Sequence, residues 1–156
     1  MYYDFVSSPL GELTLVANDQ GITELHIAGD KYFKGVSEDW QREPNNRFIQ
    51  QGKAELKEYF AGKRKTFTVP LVPFGTPFQQ EVWSALKGLS WGETSNYAAI
   101  ARVISRPKAF RAVGTAIGRN PICIIIPCHR VLSSDGSLGG YVAGTVCKEK
   151  LLHLEG

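Results

Sequence analysis

The sequence predicts a mixed α/β (α+β) fold: a small N-terminal antiparallel sheet with one helix, then a mostly helical domain containing a helix-turn-helix and a short strand leading into a reactive turn. Three observations predict it. Period-2 alternation of apolar and polar residues runs from Leu10 to Ile27. Helical spacing with cap residues follows Asn46 and again follows Thr76. Two short apolar helix candidates then flank Ser105-Arg106-Pro107, and a β-branched run ends at Pro127-Cys128-His129-Arg130.

The chain has 156 residues, 43% hydrophobic and 21% charged, which suits one domain or two small ones with a real core. No apolar run approaches a membrane span, and Met1-Tyr2-Tyr3-Asp4-Phe5 lacks the basic start and apolar stretch of a signal peptide. The expected compartment is therefore the cytosol, with no membrane partner.

Tyr2–Ser7 reads as the first strand of a meander, followed by Leu10–Ala17 and Gly21–Ile27, with turns at Ser8-Pro9 and Asn18-Asp19-Gln20. His26 alternates with Leu25 and Ile27, which predicts a solvent-side residue. Residues 29–46 are polar and aperiodic, a long loop. Phe48, Ile49, Leu56, Tyr59 and Phe60 give a helix over 47–60, with Asn46 as N-cap and Gly62 as stop. Thr66–Val72 is one more strand candidate, and the prolines at 70, 73 and 77 mark the linker. The expected domains are 1–72 and 76–156.

Thr76-Pro77-Phe78-Gln79 carries a capping box with Pro at the first helical position, and Phe78, Val82, Ala85, Leu86 and Leu89 continue the stripe. Tyr97–Ile104 and Lys108–Gly118 are the two short helices. The second is built from small residues, Ala109, Ala112, Gly114, Thr115 and Ala116, with Arg111 as the long charged side chain in its middle. Tight helix packing explains that pattern; so does close approach to a DNA groove with Arg111 as a probe. A helix with so few polar side chains suits shape-based rather than base-by-base readout. From Ser95 to Arg130 the basic residues are Arg102, Arg106, Lys108, Arg111, Arg119 and Arg130, and no acid occurs. That is either a solvated basic face or a surface for phosphates. The net charge of +3 decides nothing by itself.

Ile122–Ile126 reads as a buried strand, and Thr145–Leu154 as the last helix. Cys123, Cys128 and Cys147 are odd in number and not spaced as zinc ligands, so no metal is expected. Cys123 and Cys147 read as small hydrophobes. Cys128 follows the apolar run inside a polar turn, which suits either a packed thiol or an activated nucleophile. In extended backbone Cys128 and His129 would point opposite ways, so an indirect link through a water or a turn is easier. His129 would then need an orienting acid, and Glu155 is the candidate. His153 reads as packed or surface.

Taken together, these segments resemble the methylated-DNA–protein-cysteine methyltransferases, the O6-alkylguanine-DNA alkyltransferases. The resemblance is carried by Pro127-Cys128-His129-Arg130-Val131, Arg111-Ala112-Val113-Gly114, Asn120-Pro121, Gly140-Tyr141 and Lys148-Glu149-x-Leu151-Leu152-x-x-Glu155-Gly156, in family order. It is strong from Thr76 to Gly156. The first seventy or so residues match only in layout the family's variable, ribonuclease-H-like N-terminal domain.

The resemblance implies a DNA repair enzyme that moves the alkyl group of O6-alkylguanine, with O4-methylthymine as a further candidate substrate, to its own cysteine, once per molecule. It would act after minor-groove binding and base flipping. Cys128 matches the acceptor, His129 its activator, Glu155 the orienting acid, Asn120 the brace of the active-site loop, and Tyr97 the phenol facing the departing guanine. Arg111 matches the arginine that enters the duplex, with Ala112, Thr115, Arg102, Arg106 and Arg119 as further DNA contacts. Tyr141, Val142, Ala143 and Val131 match the substrate pocket. The partner implied is double-stranded DNA carrying O6-alkylguanine, bound by a monomer without a cofactor. Three positions depart from the family pattern: Val142 and Ala143, where a small polar residue and glycine are frequent, and Phe110, where alanine is common. Among the rivals, a damage binder without chemistry would lack Cys128, a plain DNA-binding regulator leaves Cys128, His129 and Glu155 without a purpose, and a thiol hydrolase would turn over repeatedly.

Overall fold

The computed structural model describes residues 1–156 and divides into two compact units, Met1–Phe74 with Pro121–Cys123, and Gly75–Asn120 with Ile124–Gly156. No helix is long and apolar enough to cross a membrane.

In the first unit, β1 (Tyr2–Ser8), β2 (Gly11–Ala17) and β3 (Ile22–Ile27) form the antiparallel meander that alternation predicts. A two-residue strand, β4 (Gln41–Arg42), adds in parallel to the free edge of β1, giving the order β3-β2-β1-β4. Alternation cannot reveal so short an edge, and the 29–46 loop is broken by it. Helix α1 (Arg47–Phe60) starts where Asn46 accepts hydrogen bonds from the Phe48 and Ile49 amides. Its apolar face, with Ile49, Leu56 and Tyr59, is buried along with Leu13, Leu15, Ile22 and Leu25 of the sheet. Gly52 lets the helix approach closely: a Cβ there would lie 3.3 Å from a Leu15 methyl.

Two expectations in this unit are corrected. Thr66–Val72 is not a strand. Glu55 takes the backbone amides of Thr68 and Val69, Pro70 has no amide to give, and only one bridge, Ile22 to Leu71, joins the segment to the sheet. His26 is not a solvent-side residue. It is buried beneath the loop after β3, stacked on Phe33 with ring centroids 4.2 Å apart. Its ring nitrogens meet Glu24 at 2.7 Å and Asp30 at 3.3 Å. Burial disfavours its charge, but the two carboxylates win and push its pKa up to about 9.

In the second unit, α2 (Pro77–Lys87) begins with the capping box between Thr76 and Gln79. Gly75 packs so tightly beneath Trp83 that a Cβ would fall 2.4 Å from the indole. Helices α3 (Tyr97–Val103) and α4 (Phe110–Gly118) form the expected pair around a break in which Ser105 has φ of 62°. They share with α2 a core of Val82, Trp83, Leu86, Ile100, Val113, Ala116 and Ile117. The Trp83 indole N–H donates to the Ala116 carbonyl at 2.9 Å. Strands β5 (Ser95–Asn96) and β6 (Val131–Leu132) pair in parallel, and α5 (Thr145–Glu155) closes the chain.

The expected strand at Ile122–Ile126 is a further correction. The run is buried but folds as turns. After a single bridge from Ile122 to Leu25, Ile124 takes φ of 73°. That is a rare conformation for a β-branched residue and costs about 1–3 kcal/mol. Local bonds, not strand pairing, hold the end of the run: the Ile126 carbonyl accepts from the Asn120 amide and the Cys128 N–H.

Candidate active site

The reactive turn is built one bond at a time. Pro127, at φ −82° and ψ 65°, is the centre of an inverse γ-turn in which the Cys128 amide donates to the Ile126 carbonyl at 2.8 Å. Asn120, just beyond α4, donates from its side chain to that same carbonyl at 2.8 Å. Cys128–Arg130 then form one turn of 3-10 helix. Successive side chains there are about 120° apart rather than opposite, so the extended-backbone obstacle to cooperation between Cys128 and His129 is absent.

Cys128 is 4% exposed and His129 fully buried. The His129 Nε2 lies 2.7 Å from Glu155 Oε2, at the end of α5. Glu155 is also gripped by Arg130, whose Nε and Nη2 donate at 2.8 and 2.9 Å, while Nη1 donates to the Leu89 carbonyl at 2.6 Å. With Glu155 ionised by this fork, its contact with His129 places the imidazole proton on Nε2. Nδ1 is buried without a protein hydrogen-bond partner. Burial holds the His129 pKa below the usual imidazole value, Glu155 opposes that shift, and the Arg130 and Lys148 charges add to it. The result is a neutral imidazole with a lone pair on Nδ1.

Two residues of this site escaped the sequence reading. By sequence Arg130 belongs with the basic face, but it is turned inward and buried. Lys148 is buried in α5, where Nζ donates to the carbonyls of Val131 at 2.7 Å and Gly140 at 3.1 Å. Burial lowers its pKa and the nearby Cys128 sulfur acts the other way. The available signal was the spacing Lys148, Leu151, Glu155: these are the buried positions of α5, and two of them are charged.

Tyr97, at the start of α3, sits in the same neighbourhood. Burial first, then the charge of Cys128, raises its phenol pKa, so the hydroxyl stays protonated and able to donate. The loop after β6 passes over it: Gly139 has φ of 69°, which favours glycine, and a Cβ there would stand a tight 3.2 Å from the Tyr97 oxygen and 3.0 Å from Ser133 Oγ. Val131 is buried, and Tyr141, Val142 and Ala143 are half-buried in that loop. No group of three or more His, Cys, Asp or Glu side chains is placed to hold a metal ion.

On α4, Val113, Ala116 and Ile117 face the core, while Arg111, Ala112, Thr115 and Arg119 are exposed together. Arg102 is exposed on α3. Arg106 is exposed at the turn and pairs with Glu81 at 3.3 Å.

Comparison with known proteins places this geometry in context. Residues 77–156 match the family model of the 6-O-methylguanine DNA methyltransferase DNA-binding domain. Residues 1–73 match that of the 6-O-methylguanine DNA methyltransferase ribonuclease-like domain. The chain is 46% identical to a methylated-DNA–protein-cysteine methyltransferase of Methanosarcina barkeri, over 99% of this chain and 97% of that one. It is 41% identical to the constitutive enzyme of that name from Bacillus subtilis, over 99% and 94%. An OGT of Mycobacterium tuberculosis, solved in complex with DNA, superposes with a TM-score of 0.92 at 41% identity, covering 99% of this chain and 92% of that one.

Proposed function

Because this chain belongs to the 6-O-methylguanine DNA methyltransferase family, we propose that it repairs O6-alkylguanine in duplex DNA by moving the alkyl group onto Cys128. The observation that carries this reading is the ordered chain Arg130–Glu155–His129, ending in a neutral imidazole beside a buried thiol.

The thiol proton passes to His129 Nδ1, directly or through one water. The Cys128 sulfur then attacks the alkyl carbon in line with its bond to guanine O6. The carbon–sulfur bond forms as the carbon–oxygen bond breaks, and the electron pair leaves with guanine. Tyr97 and the backbone amides of Tyr141–Ala143 donate to the developing charge. Lys148 places a cation near the sulfur and ties the Gly140 carbonyl of the pocket loop. The product is a thioether that water does not cleave, so each molecule acts once and no cofactor is consumed.

Helix α4 lies in the minor groove, where its small residues allow close approach and Arg111 fills the space of the flipped base. Arg102, Arg106 and Arg119 neutralise phosphates. All these groups come from the domain expected at 76–156, so one copy carries the whole site and the 1–72 domain stands outside the chemistry; the reading takes the protein as a cytoplasmic monomer.

The test is stoichiometric. Duplex DNA carrying radiolabelled O6-methylguanine is mixed with the protein, and label is counted and mapped by peptide. One methyl group per molecule on Cys128 is the expected result. Sustained turnover, or label on Cys123 or Cys147, overturns the reading.

A further inference from the structure

Helix α4 presents one large apolar side chain that the fold does not use. Phe110, at its first position, is 47% exposed, while the helix is anchored by Val113, Ala116 and Ile117. At about 100° per residue, Phe110 and Gly114 share one side of the helix, a turn apart. Gly114 is the point where α4 meets the catalytic tyrosine: a Cβ there would lie 3.6 Å from the Tyr97 ring. The Phe110 ring thus stands one turn beyond that contact, on the border between the Arg111 face and the Tyr97 side. The Arg111 guanidinium carbon lies 6.0 Å from its centroid.

We propose that Phe110 is a DNA-stacking residue of this protein: its ring covers the face of a nucleobase bared when the target nucleotide leaves the duplex, next to the gap that Arg111 fills. The proposal rests on the reading of α4 as the groove helix. Flipping one nucleotide exposes the faces of its neighbours as well as an orphaned partner base. An arginine satisfies the orphan's polar edge but covers little apolar area, whereas an aromatic wedge covers a base face whatever its sequence. The surroundings favour a polyanion over an apolar protein surface: Arg111 lies against the ring, and Arg102, Lys108 and Arg119 are exposed in the same acid-free stretch of sequence, 95–130, where Arg106 pairs with Glu81.

The experiment uses the full-length protein and a duplex with 2-aminopurine beside O6-methylguanine. Transfer rates are measured on this duplex and on free O6-benzylguanine for wild type, Phe110→Ala, Phe110→Trp and Arg111→Ala. Phe110→Ala is expected to lower the duplex-to-free-base rate ratio about tenfold, the scale of one lost base–aromatic stack. It should also change the 2-aminopurine emission of the bound duplex. Phe110→Trp should restore the ratio, with its indole quenched on binding. A Phe110→Ala ratio within twofold of wild type, while Arg111→Ala lowers it, overturns the stacking role alone. If Arg111→Ala also leaves the ratio unchanged, the groove reading of α4 falls and this proposal falls with it.

Discussion

Two histidines in this molecule each touch a carboxylate at 2.7 Å, yet they carry opposite charge states. His26 lies between Glu24 and Asp30, with no cation to share those acids, and is held protonated to a pKa of about 9. His129 lies against Glu155 alone, Arg130 already neutralises that acid, and burial is complete, so its pKa is depressed. A carboxylate neighbour therefore does not define a histidine. What decides is the net charge left on the acid and the depth of burial. The first arrangement yields a cation that clamps a loop; the second yields a neutral base.

The two also predict opposite pH responses. The folded-state pKa of His26 is raised, so its stabilisation is complete below about 6.5 and is lost as pH rises through about 9. For His129 the folded-state pKa is lowered, so its contribution is present above about 6.5 and is lost as pH falls below that value.

The largest expected effect separates the roles. His129→Asn should slow alkyl transfer by about 10²–10⁴-fold, the usual worth of a positioned base. His26→Gln should leave the rate near wild type. Glu155→Gln should also slow transfer, and the double variant with His129→Asn should be little slower than the slower single one, because both act through one network. Additive losses on rate would separate the two residues.

Arg130→Met breaks the comparison from the other side. It returns an unshared charge to Glu155, so His129 should become protonated at higher pH and the acid limb of the rate profile should move up. Breaking a buried pair also costs about 3–5 kcal/mol of stability, read by urea denaturation. An unmoved acid limb in a folded variant would mean that Arg130 does not set the state of His129.

The next effect lies in the first unit. His26→Gln should remove up to about 3 kcal/mol at pH 6 and abolish the loss of stability between pH 6.5 and 9. Glu24→Gln leaves His26 one carboxylate and should remove about 1 kcal/mol of that total at pH 6. Equal denaturation midpoints at pH 6 and pH 9 in wild type would contradict both expectations.

The same contrast explains what the sequence could reveal. Asn46, the Thr76–Gln79 box and the Cys128, His129, Glu155 set were legible because each depends on local spacing or on a motif. His26 was not. Alternation placed it on the face opposite Leu25 and Ile27, and nothing local shows that residues 28–33 fold back to cover that face with Asp30 and Phe33. Arg130 and Lys148 look like surface charges until the acid and carbonyls that satisfy them are in place. Ile122–Ile126 has strand composition, and nothing local shows that Ile124 takes a left-handed conformation or that the Ile126 carbonyl is bonded by Asn120 and Cys128.

The most direct test of this account is an imidazole ¹⁵N NMR titration of the intact protein. It predicts that at pH 7 His129 is neutral with its proton on Nε2, and that it stays neutral below the ordinary histidine range, while His26 remains doubly protonated until pH approaches 9. A cationic His129 at pH 7, or a neutral His26, would contradict it.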